Sequence, residues 1–553
     1  MKRLLAVLVV LVIATAAYAS GQGEADADGP REYDFFIGYE KDDYPKEGTI
    51  FGDWLEEQTN VRINWEFIVG DLEQKVGLIA ASGDYPDAIH PRNETEILLD
   101  ANALIPLNDL IEEYGSNVED MYGERGLKMI AQDDGNVYWF PQQMPYGDRF
   151  RNPNEGHAVY VQAAVLEAWD YQIPEDLDQM ADWLIEYAEE NPTINDHPTI
   201  AWTGQYDTWR WFGVSNIPHI LSGHPNDGAV NVDNVDGRWV VSEYRGTQDE
   251  YDAMKILNRI HRAGLYDTES FVMNYDQYIA KLSQGNILAF YDQDWNFAQA
   301  QDLLLEQDDG RWYVGIPVML EGYEPTIMNP PSPQVSEGIG ISVDADDPEG
   351  IMQYFNVLAS REAHLLRSWG REGIDYMVDD DGTFYRTEDQ IERWRDRDWR
   401  EQTYGAYFWD TFLRIEGGSV IWDGINNMDP ANQPSVFRES LLPQEIEVLD
   451  NLGVDTWSSL FPPPDMSRTV YFPAWTVTMS PDSRESITGT RIDDEIRRPA
   501  LPRLIMADSE SEFEALWEEY MDELDAIPRD DWNARIQFFQ DAIDARVEDA
   551  GGY

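Results

Sequence analysis

Between Tyr33 and His90 the chain switches repeatedly between strand-like and helix-like spacing, and this rhythm constrains its fold more than any other feature. Tyr33–Tyr39 is a short apolar run with strand character, broken at Gly38. Thr49–Thr59 carries helical spacing at Ile50, Trp54 and Leu55, and Val61–Ile68 alternates as a strand does. Leu72–Ser82 is helical again until Gly83 ends it, and Asp87–His90 returns to an apolar, β-like step. Parallel neighbours need a long crossover, which a helix supplies. The order therefore predicts an α/β lobe with a largely parallel sheet.

The rest of the chain divides at its turn-rich segments. The turn Asp133-Asp134-Gly135-Asn136 and the run Val137–Phe140 close the first region. Pro141–Pro153 and residues 329–336 are rich in Pro and polar residues, as chain crossings between lobes would be. Amphipathic helices are predicted at Ala163–Ala168 and Asp176–Glu189, strands at Ile287–Tyr291 and Trp312–Pro317, and a helix at Pro348–Ser360. The tail from Ser509 to Val547 is acidic, amphipathic and helical. The expected division is 31–145 plus about 338–400 as one lobe, and 146–337 plus about 401–553 as the other.

The N-terminal stretch points outside the cytoplasm. Lys2 and Arg3 precede the apolar run Leu4–Ala17, then Ala17-Tyr18-Ala19 and Ser-Gly-Gln-Gly follow. That pattern predicts a signal peptide, residues 1–19, cleaved near Ala19, with a flexible acidic leader at 20–30 and a periplasmic or secreted protein. The run is shorter than the roughly 20 residues of a membrane span. With no cysteine in 553 residues, disulfides, thiolate chemistry and a cysteine-borne lipid anchor are excluded.

The formal net charge is −67, with 106 acidic residues against 39 basic ones, spread along the whole chain. Nucleic acid is not expected as a partner, because phosphate binding needs a basic surface. Diffuse carboxylates read as hydration of a surface that works in salt, where repulsion is screened within a few ångströms. Disorder is not expected either. The chain is 42% apolar and 12% aromatic, with 20 Trp, which is ample for large cores.

Several phrases, in order along the chain, resemble those of bacterial extracellular solute-binding proteins of family 1, the receptors of sugar-importing ABC transporters. They are Leu78–Ile89 (LIAASGDYPDAI), Leu104–Tyr114 (LIPLNDLIEEY), Asp134–Pro141 (DGNVYWFP), Met254–Phe271 (MKILNRIHRAGLYDTESF), Lys281–Trp295 (KLSQGNILAFYDQDW), Trp369–Gly382 (WGREGIDYMVDDDG) and Leu504–Arg546. Each phrase is weak alone; their shared order is what carries weight. The resemblance is to the long subgroup that includes alginate-oligosaccharide binders. It implies a two-lobed, type II-like clamp, each lobe a sheet flanked by helices, with a helical C-terminal tail. It further implies an oligosaccharide or sugar-derivative ligand in the interlobe cleft, ABC transporter permease subunits as partners, a monomer, and no catalysis.

A sugar offers flat C–H faces that aromatic rings cover and a rim of hydroxyls that polar side chains bond. Trp295, flanked by Asp292 and Asp294, matches the family's cleft tryptophan. Tyr39 lies in the loop after the first strand, with Glu40, Lys41 and Asp42. Such loops face ligands in open α/β sheets. Trp209 and Trp211 flank Arg210; two apart, they would share a face if the segment were a strand. Tyr404, Tyr407, Trp409 and Trp422 form a second aromatic group, and Trp475 follows. One group is expected to line the cleft, the other to pack in a core. Asp84, Asp87, Arg371 and Glu372 read as turn formers.

No cofactor is expected. The subgroup's calcium loop would fall near Asn191, Asn195 and Asp196, but the segment here is shorter and lacks the glycines, while calcium needs six to eight oxygens. A peptide or other polar solute is the alternative ligand. A secreted glycoside hydrolase is the lesser reading, since abundant acids are not a positioned pair.

Overall fold

The computed structural model describes residues 29–39, 44–132, 134–147, 149–307, 309–331, 337–405 and 413–550. The signal segment, the leader up to Asp28, Glu40–Asp42, Tyr407, Trp409 and Asp410 lie outside the described residues.

The first sheet has five strands in the order Val61–Phe67, Arg31–Ile37, Ala88–His90, Gly338–Ile341, Phe140–Pro141. The first three run parallel, with Phe35 beside both Trp65 and Ala88. The crossover helices fall where the sequence predicts, and side-chain caps close their starts. Thr49 accepts from the Gly52 amide at the start of Ile50–Thr59, and Asp71 from the Gln74 amide at the start of Leu72–Ser82. Each caps an amide that has no partner inside its helix. Gly83 ends the second helix at φ 65°, where a Cβ would be strained. Gly338–Ile341 returns from far along the chain and runs antiparallel to both its neighbours, so the sheet is parallel only on one side.

The second sheet is mixed, in the order Tyr313–Ile316, His157–Gln162, Ile287–Gln293, Ile200–Thr203. Its first two pairings are antiparallel and the last is parallel. Every residue of His157–Gln162 is buried, as befits a central strand covered on both faces. Tyr160, Phe290, Phe297 and Tyr313 interlock edge to face between this sheet and the helix Asp294–Leu305.

Each sheet has its own core. Phe35, Ile37, Phe51, Leu55, Ile339 and Phe355 belong to one; Tyr160, Trp202, Phe290 and Leu504 belong to the other. A smaller cluster joins the hairpin Asn231–Val235/Arg238–Ser242 to Tyr471, Phe472 and the last helix, Arg529–Asp549. Leu413, Ile415, Ile421, Met428 and Val436 pack on the first core, and Phe437 on the second. The chain was expected to return to the second lobe near residue 401; its packing changes only after Val436. The pairing of Arg414–Ile415 with Gln143–Met144 holds this segment to the first core.

The segment Asn191–Pro198 is a tight hairpin. Thr193–Ile194 pairs with His197–Pro198, and Asn195 and Asp196 form the turn at φ 51° and 63°. Asn191 donates to the Tyr187 carbonyl at 3.0 Å. Among the described residues, no three His, Asp or Glu side chains gather as a metal site would require, and no helix is long and apolar enough to cross a membrane.

Candidate functional site

A cleft of about 2250 Å³ opens between residues from the two sheets. Its first wall is made at the carboxyl ends of the parallel strands: Tyr39 follows Arg31–Ile37, Asp71 and Glu73 follow Val61–Phe67, and Arg92–Glu94 follow Ala88–His90. These are the positions where side chains can reach a ligand without breaking the ladder. Its second wall carries Trp209, Phe212, Asp294 and Trp295, with Glu155 at its floor.

Trp209 and Trp295 are 47% and 40% exposed, although both rings are large and apolar. They stack with centroids 5.9 Å apart and planes 17° from parallel, and Phe212 leans on both at 5.9 and 6.1 Å. The platform is held from behind. The Arg210 guanidinium lies 4.4 Å from the Trp209 ring centroid and 4.0 Å from that of Tyr275. Arg210 donates to Asn296 at 3.1 Å, and Asn296 donates to both Asp292 oxygens at 2.9 and 3.0 Å. The Tyr278 hydroxyl donates to Asp292 at 2.6 Å. On the other side, the Trp295 indole N–H donates to Gln293 at 2.7 Å.

Asp292 was expected to reach the ligand. It is fully buried, its oxygens are taken by Tyr278 and Asn296, and burial pushes its carboxyl up to about 6. It anchors the platform instead. Trp209 and Trp211 do not share a strand face, because Thr208–Trp211 is a 3₁₀ turn, in which residues two apart point different ways. Trp211 still borders the cleft, but it packs on the second core under Arg497 and Arg498. Trp422 packs on the first core, against Tyr146 and under Arg361, away from the cleft. Of the second aromatic group's neighbours, Trp475 does line the cleft and is 39% exposed. Phe212 was missed; its only signal was its place next to Trp211.

On the first wall, Tyr39 donates its hydroxyl to Glu337 at 2.6 Å, and Arg92 lies 4.4 Å over its ring. Arg92 in turn faces Glu337 at 3.8 Å. Away from the cleft, Asp87 accepts from the Asp34 amide of the neighbouring strand, a long-range contact and not a turn, and Arg371 pairs with Asp375.

Glu155 sits at the floor beside Asp294. The pairing of His157 with Gln293 brings the two strand ends together, and the Asp294 amide donates to the Gly156 carbonyl at 2.7 Å. Gly315 makes room for Glu155; a Cβ there would collide with its carboxylate. Burial pushes the Glu155 carboxyl up to about 7, and the charge of Asp294 adds to the effect. Asp294 itself is pushed up to about 6 by burial. A free glutamate titrates near about 4.3. The folded protein therefore holds the Glu155 proton over a range where the unfolded chain has lost it. This contribution to stability is complete below about pH 4 and is lost as pH rises through about 7. Glu155→Gln is expected to raise the melting temperature at about pH 8 and to leave it unchanged near about pH 4. Scanning fluorimetry at both values checks this; an equal shift at both would show that the charge is not the cause.

Two sheet-bearing lobes, a chain that crosses between them repeatedly, and an aromatic-walled cleft at the strand ends define a solute-binding clamp. The chain belongs to the family described as bacterial extracellular solute-binding protein, whose model matches residues 53–366. It is 26% identical over 263 residues to the fructooligosaccharide ABC transporter substrate-binding protein of Streptococcus pneumoniae serotype 4. That match takes in 44% of this chain and 46% of the relative, so the chain spans about half the length of the curated relative it matches.

Solved structures share the fold over nearly the whole chain. The alginate-binding protein solved without calcium ion is 16% identical at a TM-score of 0.62, covering 94% of this chain and 98% of that one. The Streptococcus pneumoniae ABC-transporter substrate binding protein, as an EF-hand mutant in complex with fructo-nystose, is 16% identical at 0.63, covering 93% and 99%. A solute binding protein of Bifidobacterium longum infantis associated with an ABC transporter that binds HMO is 16% identical at 0.61, covering 94% and 99%.

Proposed function

We propose that this protein is the extracytoplasmic capture receptor of an ABC importer and that it binds an oligosaccharide in the interlobe cleft without altering it. The observation that carries the reading is the exposed, stacked Trp209–Trp295 pair, braced by Arg210 and Asn296 and open to the cleft. Water-exposed indoles held this firmly are poised for the apolar face of a sugar ring. The relatives named above are consistent with it. Tyr39 and Asp294 supply further contacts to the ligand, while Asp292 and Trp211 position others. The two lobes are residues 29–145 with 338–436, and 146–337 with 437–550. They close on the ligand, and closure is what the permease subunits read. The receptor acts as a monomer outside the cytoplasm after loss of its signal segment, with no lipid anchor.

Titration calorimetry against neutral fructooligosaccharides, human-milk-type oligosaccharides and alginate oligosaccharides tests this. At least one class is expected to bind with a dissociation constant of about 1 μM or tighter, worth about 8 kcal/mol, and to be recovered chemically unchanged. Binding of peptides alone, or hydrolysis of the sugar, would overturn the reading.

A further inference from the structure

Beyond Trp475 the main cleft continues into a second, smaller hollow of about 240 Å³. Its walls come from both halves of the molecule. Asn93, Glu94, Glu96 and Ile97 stand on one side; Trp475, Val477, Thr478, Met479 and Pro481 stand on the other, with Glu337 between. Asn93, Glu94, Glu337 and Trp475 border both spaces, so a ligand can pass from one to the other over the indole. Pockets for drug-sized ligands run from roughly 300 to 1,000 Å³. This one is smaller and suits a single ring.

Trp475 is built into place. The flanking Ala474 and Thr476 are 0% and 2% exposed, yet the indole between them is 39% exposed. The Ala474 amide donates to the buried Asp227 at 2.9 Å. Arg546 donates to the carbonyls of Tyr471 and Pro473 at 2.8 and 2.9 Å, and to the Thr476 hydroxyl at 2.9 Å. Gly228, at φ 65°, lets the loop before it lie against the indole; a Cβ there would sit 3.4 Å from that of Trp475. A turn fixed by buried polar groups holds one large apolar ring in the open, which makes it preorganised for a partner.

The pocket's chemistry narrows the occupant. Three carboxylates line it, and no lysine or arginine does among the described residues. Glu337 already accepts from Tyr39 and faces Arg92, so Glu94 and Glu96 carry the remaining negative charge. Ile97, Val477, Met479 and Pro481 supply apolar surface beside the indole. Carboxylates accept from hydroxyls and repel anions, so the occupant has an apolar face, a rim of hydroxyls and no negative charge.

The geometry points to an outlying subsite here for an uncharged terminal sugar ring, stacked on Trp475. The inference rests on the reading that the main cleft binds carbohydrate. It makes the preferred ligand a neutral oligosaccharide, long enough to reach past the Trp209–Trp295 platform.

The test is titration calorimetry of the whole protein with a neutral fructooligosaccharide series from disaccharide to hexasaccharide, and with the same hexasaccharide oxidised to carry a terminal carboxylate. Wild type is expected to bind the longer members more tightly. Trp475→Ala is expected to bind the short members as wild type does and to lose about ten-fold on the longest. Met479→Trp, which fills the pocket and leaves Trp475 in place, is expected to lose the same gain. The carboxylate-ended hexasaccharide is expected to bind more weakly than the neutral one, and less so in high salt. An equal loss at every length in both variants, no loss at any length, or an unweakened carboxylate-ended ligand would overturn the subsite. If wild type binds no member while a peptide binds, the carbohydrate reading fails instead.

Discussion

Replacing Trp209 and Trp295 together by alanine is expected to weaken oligosaccharide binding about 1,000-fold while moving the melting temperature by no more than a few degrees. Each ring can lose roughly 80 Å² of water-exposed apolar surface under a sugar face. At about 25 cal/mol per Å² that is worth about 2 kcal/mol per ring, and about 4 kcal/mol for both, which is about a thousand-fold. The rings are 47% and 40% exposed without ligand and neither belongs to one of the two sheet cores, so removing them leaves those cores intact. The single variants will not sum to the double. The indoles stack at 5.9 Å, and Phe212 touches both. Losing Trp295 frees Trp209 to tilt onto Phe212 or Arg210, so part of the second ring's contribution goes with the first. Calorimetry on the two singles and the double measures this coupling. A double variant that binds within five-fold of wild type, roughly 1 kcal/mol, would remove the platform from the binding site.

What the sequence revealed and what it hid follow from how local each signal is. The crossover helices could be read because helical spacing is a local signal and Gly83 marks one end; the caps at Thr49 and Asp71 add boundaries of the same local kind. Trp295 was expected at the cleft because it follows a strand-like run and matches the tryptophan that the resembled family places there, and it does border the cleft. Asp292 was named as its neighbour, and the fold buries it. Ile287–Gln293 is covered on both faces, so alternation along it does not say which side chain is open. Trp209 and Trp211 were assigned a shared face by a period of two, but the chain turns there with a period near three. Trp422 and Trp475 look alike in sequence. Only the fold places one against Tyr146 and the other over a cleft, because packing is decided by segments distant in the chain.

The same limit applies to the network behind the cleft, where partners almost 250 positions apart meet. Arg497 and Glu250 are both 0% exposed and pair at 2.6 Å. Glu250 also accepts from the Gly246 amide at 2.6 Å and the Tyr520 hydroxyl at 2.8 Å. Arg497 donates to the Ser215 carbonyl and lies 5.1 Å from the Tyr244 ring centroid and 5.6 Å from that of Trp211. It ends the π-helical stretch Arg491–Arg497, so this wider turn is fixed to the helix Gln248–Arg262 through one ion pair. Arg497→Met is expected to destabilise the protein by about 3–5 kcal/mol, because it leaves the Glu250 charge buried without its cation. Glu250→Gln is expected to cost a similar amount from the other side. Arg497→Met combined with Glu250→Leu is expected to cost less than the sum of the singles, since no bare charge remains, although the Gly246 amide and Tyr520 hydroxyl then lose their acceptor. Urea unfolding of the three variants reads the difference directly. Strict additivity would mean that the pair is not coupled, and that water reaches one of the two charges when the other is gone. In that event the rear wall of the cleft would be looser than its packing implies, and Trp211 would have no fixed seat beneath Arg497.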